Sequence, residues 1–338
     1  MTSSEPFLPT DALDLMQFAG VPGLSLALVQ NDEVNQVLAL GVRNVQSREP
    51  VNVETVFEAA SLSKPVVAYA VLQLVDAGAL SLDVPLARYC PSIAPDDAAA
   101  VLITARHVLS HTSGLPNLGS LKYPLRTYFS PGSRFSYSGQ GFALLQAAVE
   151  SLLRETLEQT LRRLVFEPLA MGSSSFVWQQ RFESNFATPH EGKDPGTRMR
   201  PITAYAAYSL QTTATDYAMF LRATLTGLRL NPSTAQDWFE ALVPLPLGDA
   251  ISLENAPSVT ESDVAWGLGW GVEPSRGTFF HWGSNTGARA FVMGNHRQRS
   301  AVVAFMNCSD GLRIVPKLLE SCMPGEHPVL RWLASAVA

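Results

Sequence analysis

Ser61-Leu62-Ser63-Lys64 places a hydroxyl and an amine three positions apart, at the head of an apolar run over residues 64–77 that stops at Gly78. A run of this kind closed by glycine predicts a buried helix that starts at the serine. Residues at i and i+3 share a helix face, so the two side chains can meet. A serine hydroxyl is a weak nucleophile near neutral pH, and an amine kept unprotonated by burial or by a second cation can take its proton. The free N–H groups and positive dipole end of a helix start point at any oxyanion forming on an acyl carbon held there. Pro65 fits a first helical turn, where a missing N–H loses no partner. By themselves the four residues also suit a solvated helix start, so the chemistry depends on what else the chain supplies.

Two further segments can join them. Residues 131–139 form a turn-rich loop, Pro-Gly-Ser-Arg-Phe-Ser-Tyr-Ser-Gly, with Tyr137 at its tip and a helix expected from Phe142. A phenol held between cations can carry a proton. His281-Trp282-Gly283-Ser284-Asn285-Thr286-Gly287 is expected to end a strand, and its small residues let a substrate approach the backbone closely. Its N–H groups can then supply a second oxyanion donor. Plainer readings stand beside these: Tyr137 can pack a loop, and His281 can hydrogen-bond to backbone at a strand end. His107 and His111 are expected to be structural. Trp178, Tyr205, Tyr208, Trp266 and Trp282 can line an apolar acyl pocket or belong to the core. Arg289 can receive a carboxylate or lie at the surface.

The elements that must position these groups come from both ends of the chain. Residues 24–30 and 34–40, separated by Asn31-Asp32-Glu33, read as a hairpin. From about residue 80 to 178 the pattern turns helical, with residues 142–169 the clearest amphipathic stretch. Residues 266–272, 278–282, 288–293 and 301–307 return as short strands punctuated by Gly and Asn, and residues 329–338 read as a closing helix. Residues 231–263 have no clean period and are expected to be irregular. The organisation expected is a single domain over 1–338, with a helical subdomain over roughly 81–200 inserted between sheet-forming segments 1–80 and 201–338.

Composition narrows the partners. The 338 residues carry a net charge of −6 and are 46% hydrophobic, enough for a sizeable core and without the basic face a nucleic acid would need. Cys90, Cys308 and Cys322 lie far apart, suggesting neither a disulfide framework nor a metal knuckle. Residues 1–14 lack the pattern of a secretory signal, and no apolar run suits a bilayer, so a soluble, cytoplasmic protein without a membrane partner is expected.

Several ordered segments resemble the serine β-lactamase and DD-peptidase superfamily, in the branch of class C β-lactamases and related esterases. They are residues 55–64, 74–83 and 103–116 (Ile-Thr-Ala-Arg-His-Val-Leu-Ser-His-Thr-Ser-Gly-Leu-Pro), with Pro168-Leu169-Ala170-Met171 and Trp266-Gly267-Leu268-Gly269-Trp270. The resemblance implies an α+β fold, with an antiparallel sheet from both chain ends flanked by helices, a mostly helical subdomain and the active site between them. It implies Ser61 as nucleophile, Lys64 as its activating partner and Tyr137 as proton shuttle. His281 falls where β-lactamases of this branch carry the lysine of Lys-Thr-Gly, and Ser284 where a strand N–H joins that of Ser61 in the oxyanion hole. Gly139 replaces the asparagine of Tyr-x-Asn, and with Trp282 and Gly283 is expected to border the substrate. Loss of that amide and of a permanent cation leans toward small neutral esters, through an acyl-enzyme with no metal or organic cofactor. β-Lactamase, D-amino acid peptidase or amidase, and acyltransferase activities remain open on the same fold, as does a catalytically silent binding or scaffold protein. The partner expected is a small-molecule ester or amide, with oligomeric state undetermined.

Overall fold

The first chain reversal is set by Asn31 and Asp32, whose φ of 52° and 64° are the paired left-handed residues of a two-residue type I′ turn. They join β1 (Gly23–Gln30) to β2 (Glu33–Gly41) as the expected hairpin. The computed structural model describes residues 9–90, 97–254, 256 and 259–336. The expectations for residues 1–8, for 91–96 of the helical stretch, for residues 337 and 338 of the closing helix, and for 255, 257 and 258 of the irregular segment lie outside the described residues.

Short strands β3 (Phe57–Glu58), β4 (His190–Glu191), β5 (Asp194–Pro195) and β6 (Gln211–Thr212) pair as β3 with β6 and β4 with β5. The chain then adds β7 (Val243–Pro246), β8 (Thr260–Trp266), β9 (Gly271–Glu273), β10 (Thr278–Asn285), β11 (Ala288–Asn295) and β12 (Ser300–Met306). The main sheet runs β2-β1-β12-β11-β10-β9-β8-β7, antiparallel at every pairing. The antiparallel sheet built from both chain ends, expected from the sequence, is therefore present.

The sheet is covered on both faces, which its strands show by alternation. Ala301, Val303 and Phe305 of β12 join one apolar core, while Val302, Ala304 and Met306 join another. The first core holds α2 (Ser63–Asp76), α4 (Gly139–Leu153) and α6 (Ala214–Thr226); the second holds α1 (Pro9–Ala19), α8 (Val315–Cys322) and α9 (Pro328–Ala336). Shorter helices α3 (Ala105–Leu109), α5 (Leu157–Leu161) and α7 (Pro232–Asp237) complete the set. No helix among the described residues is long and apolar enough to cross a membrane. Cys308 and Cys322 are free thiols.

Several boundaries differ from the sequence reading. The α-helix begins at Ser63, and Ser61 sits in a 3-10 turn over Ala60–Leu62 just before it. Residues 266–272 are two strands, parted by a tight turn at Gly269 (φ 89°), where an added Cβ would lie 2.6 Å from Ala68 Cβ of α2. The apolar pattern runs across that turn and hides it. The amphipathic stretch 142–169 breaks at Arg154, a left-handed C-cap with φ 55°, and restarts at the Thr156 capping box of α5. A left-handed arginine carries no signal of the kind glycine gives. Within 231–263, α7, β7 and the start of β8 replace the expected irregular path.

Candidate active site

Ser61 is presented by a turn locked from several sides. Ala60, fully buried, takes φ 48°, a left-handed conformation that costs a non-glycine residue about 1–2 kcal/mol. The neighbouring backbone holds it: Ala59 N–H donates to Leu210 O at 2.9 Å, and Ser63 Oγ donates to Ala60 O at 2.6 Å while accepting Leu210 N–H at 3.0 Å. Tyr217 Oη donates to Leu62 O at 3.1 Å. Ser63 is thereby satisfied inside the core, and Ser61 alone of the four motif residues keeps partial exposure.

Lys64 is 1% exposed, and its Nζ donates to Ser61 Oγ at 3.1 Å and to Ala207 O at 2.8 Å. The rings of Tyr137 and Phe142 lie 4.7 and 5.6 Å from the same nitrogen. Burial disfavours its charged form and pulls its pKa down to about 7. An amine poised there is substantially unprotonated at neutral pH, and the Ser61 contact can then run the other way, hydroxyl to amine. The sequence proximity of Ser61 and Lys64 thus becomes a real contact.

Tyr137 is buried beside them, at the entry to α4 rather than before a helix from Phe142. Burial pushes its pKa up, so the phenol is protonated; the Ser61 hydroxyl acts the other way, although the contact falls short of hydrogen-bond geometry. Its ring centroid is 4.1 Å from that of His111, 5.1 Å from Trp282 and 6.1 Å from His281.

His281 lies within β10 rather than at its end, fully buried on the strand face shared with Phe279. Its Nδ1 is 2.7 Å from Trp282 O, and since a carbonyl only accepts, Nδ1 carries the hydrogen. Burial, aided by the charge of Lys64, drops its pKa to about 3, so the ring is neutral and Nε2 is a bare acceptor with no partner among the described residues. Gly283 explains how β10 comes so near the serine: a Cβ there would sit 2.5 Å from Ala59 O and 3.2 Å from Ala60 Cβ. Ser284 is exposed and borders a cavity of about 590 Å³ shared with Glu58, Leu118, Met199, Tyr208 and Arg289.

The remaining sequence candidates separate. Trp282 packs on Trp332 of α9 with ring centroids 5.1 Å apart, inside the second core. Gly139 opens α4, donates its N–H to Asn117 Oδ1 at 3.0 Å, and leaves no room for a Cβ, which would lie 2.7 Å from Asn117 O. Trp266 is fully buried, Trp178 packs on Phe182 and Phe186, and Tyr205 stacks on Tyr208. Arg289 is half-buried, with Nη1 donating to Asn285 O at 2.6 Å and Ala288 O at 2.9 Å, so it is not a loose surface side chain. His107 serves the capping box of α3. Two contributors left no trace in the sequence reading. The Ala207 carbonyl that holds Lys64 is a group any residue supplies, and Glu58 gives up both oxygens to Met199 N–H at 3.2 Å and Asn285 Nδ2 at 3.0 Å.

A family model described as Beta-lactamase matches residues 13–318. The chain is 32% identical over 209 residues to Esterase EstB of Burkholderia gladioli, covering 53% of each chain. It is 30% identical over 225 residues to Penicillin-binding protein 4 of Amycolatopsis lactamdurans, covering 60% of this chain and 59% of that one. With Protein flp of Staphylococcus aureus (strain NCTC 8325 / PS 47) the identity is 22% over 329 residues, 90% of this chain and 63% of the other. The chain thus spans between about half and two thirds of the length of these curated relatives. The octameric penicillin-binding protein homologue from Pyrococcus abyssi superposes with a TM-score of 0.78 at 21% identity, covering 96% of this chain and 78% of that chain, a likeness of fold alone.

Proposed function

This chain belongs to the beta-lactamase family, and from that premise we propose that it is a serine hydrolase working through a covalent acyl-enzyme on Ser61, with small neutral esters as substrates. One observation carries the reading: a buried amine with its pKa near 7 stands 3.1 Å from a partly exposed serine hydroxyl. Ser61 Oγ attacks the ester carbonyl and passes its proton to Lys64. The N–H groups of Ser61 and Ser284 hold the oxyanion. As the tetrahedral centre collapses, the bond to the alcohol breaks and the proton reaches the leaving oxygen through Tyr137. Water then attacks the acyl carbon, gives its proton to the same relay, and releases the acid as Ser61 regains its hydrogen.

The lean toward neutral esters is supported by His281, whose burial, aided by the charge of Lys64, keeps it uncharged. The similarity to a protein named as an esterase points the same way. Residues 81–200, as a helical subdomain, would form one wall of the cleft and the sheet the other. A second reading, cleavage of a β-lactam or a D-amino acid peptide, is favoured by Arg289, a cation on the cavity that Ser284 borders.

A paired assay tests both. Ser61→Ala should lose cleavage of p-nitrophenyl acetate by about 10³-fold or more. Full turnover by that variant refutes the assignment, and wild-type turnover of nitrocefin comparable to ester turnover replaces the ester preference with the second reading.

A further inference from the structure

His111 brackets Tyr137 from both sides. Its carbonyl accepts Ser136 N–H at 2.9 Å and its ring Nδ1 accepts Ser138 N–H at 3.0 Å, so the residues before and after the tyrosine are tied to one histidine. Ala250 O takes the N–H of Tyr137 itself at 2.9 Å, and Ser138 Oγ both donates to Pro116 O at 3.0 Å and caps α4 through Gly141 N–H at 2.9 Å. The His111 ring lies tilted against the phenol with centroids 4.1 Å apart and is enclosed by Phe135, Phe142 and Trp266. The residue is fully buried and holds φ 55°, an unusual conformation for a non-glycine residue and one the surrounding contacts must maintain.

We propose that His111 is a positioning residue for the acyl transfer, whose unprotonated Nδ1 anchors the backbone after Tyr137 and so fixes where the phenol meets Ser61 and Lys64. The inference rests on the serine-hydrolase reading of the same site. An imidazole that accepts at Nδ1 must carry its hydrogen on Nε2 when neutral. Burial, with Lys64 and His281 facing it, holds the pKa of His111 well below the usual histidine value, so the anchor survives across the neutral range. His281 has the opposite tautomer, with hydrogen on Nδ1. Two buried neutral histidines of opposite tautomer thus flank Tyr137. A protonated Nδ1 on His111 would face the Ser138 N–H donor to donor and push the loop away.

The test uses variants chosen for what they return to that N–H. His111→Asn places Oδ1 where Nδ1 stood and tolerates the left-handed backbone, whereas His111→Leu fills similar space without an acceptor. Leu should lower kcat for p-nitrophenyl acetate by about 10–100-fold with KM little changed, and Asn should recover kcat to within about 5-fold of wild type. Equal impairment of the two, or full kcat in the Leu variant, overturns the proposal. Nitrogen-15 NMR of the wild-type imidazoles gives a readout free of turnover and of variant folding. His111 should show Nδ1 unprotonated and Nε2 protonated from pH 5.5 to 8, and a protonated Nδ1 overturns the anchor. If NMR shows the anchor while wild-type Ser61 is never acylated, the parent reading fails and takes the positioning role with it.

Discussion

Lys64 is the residue at which burial becomes chemistry. A lysine 1% exposed is held by one carbonyl and one hydroxyl, and burial brings its pKa to about 7 from 10.5. The sign of the pH effect follows. Between about 7 and 10.5 the unfolded chain binds a proton that the folded chain does not, so this group's contribution to stability improves as pH rises across that window. Below 7 its penalty is fully present. Lys64→Met should therefore lose turnover by about 10³-fold yet gain about 1–2 kcal/mol at pH 6, read by denaturant unfolding. In the wild type, kcat/KM should climb through about pH 7 and then level as the amine loses its proton. A flat profile from pH 5.5 to 8.5, or a Met variant less stable than wild type, contradicts this. At this scale the sequence was most readable, because Ser61, Lys64 and His281 are polar residues in apolar text, which biases a reader toward chemistry. The Ala207 carbonyl and the left-handed Ala60 were not legible, since the first belongs to every residue type and the second to a conformation alanine rarely takes.

Two elements carry the geometry. Strand β10 reaches the Ser61 turn only because residue 283 has no side chain: a Cβ would stand 2.5 Å from Ala59 O. Gly283→Ala must move the strand or the turn, and should lower kcat/KM by about 10²-fold while costing about 1–3 kcal/mol of stability. Unchanged kinetics would show that the approach of β10 is dispensable. Helix α9 is tied down at its other end by Glu273 of β9, which is fully buried and accepts from His327 Nδ1 at 3.2 Å, Val329 N–H at 2.9 Å and Thr278 Oγ1 at 2.6 Å. Burial pulls the His327 pKa down, as does Arg276, but Glu273 and the Met323 carbonyl outweigh them and the folded value is raised above 6.5. That contribution is complete below pH 6.5 and is lost as pH rises through the folded value. Amides of α9 should accordingly show less intrinsic protection against hydrogen exchange at pH 8.5 than at pH 6, and His327→Gln should remove the difference. Strand existence was legible from short apolar runs bounded by Gly and Asn. The break of 266–272 into β8 and β9 was not, because both halves are buried and the turn between them is apolar.

Across the whole molecule, the sheet unites the ends of the chain: β1 pairs with β12, Leu24 opposite Met306 and Gln30 opposite Ser300. Segments hundreds of residues apart are thereby held in one layer, with α2 packed into the first core and Tyr137 into the second. Short apolar runs near both termini made that sheet predictable, but strand order depends on long-range pairing that no local pattern encodes. The event proposed for this architecture is the loading of Ser61. Peptide mass spectrometry after exposure to a fluorophosphonate probe tests it most directly. One probe should attach per chain, on the Ser61 peptide, and the Lys64→Met variant should react far more slowly. Folded wild-type protein that stays unlabelled, or that carries the probe on another residue, would contradict the account.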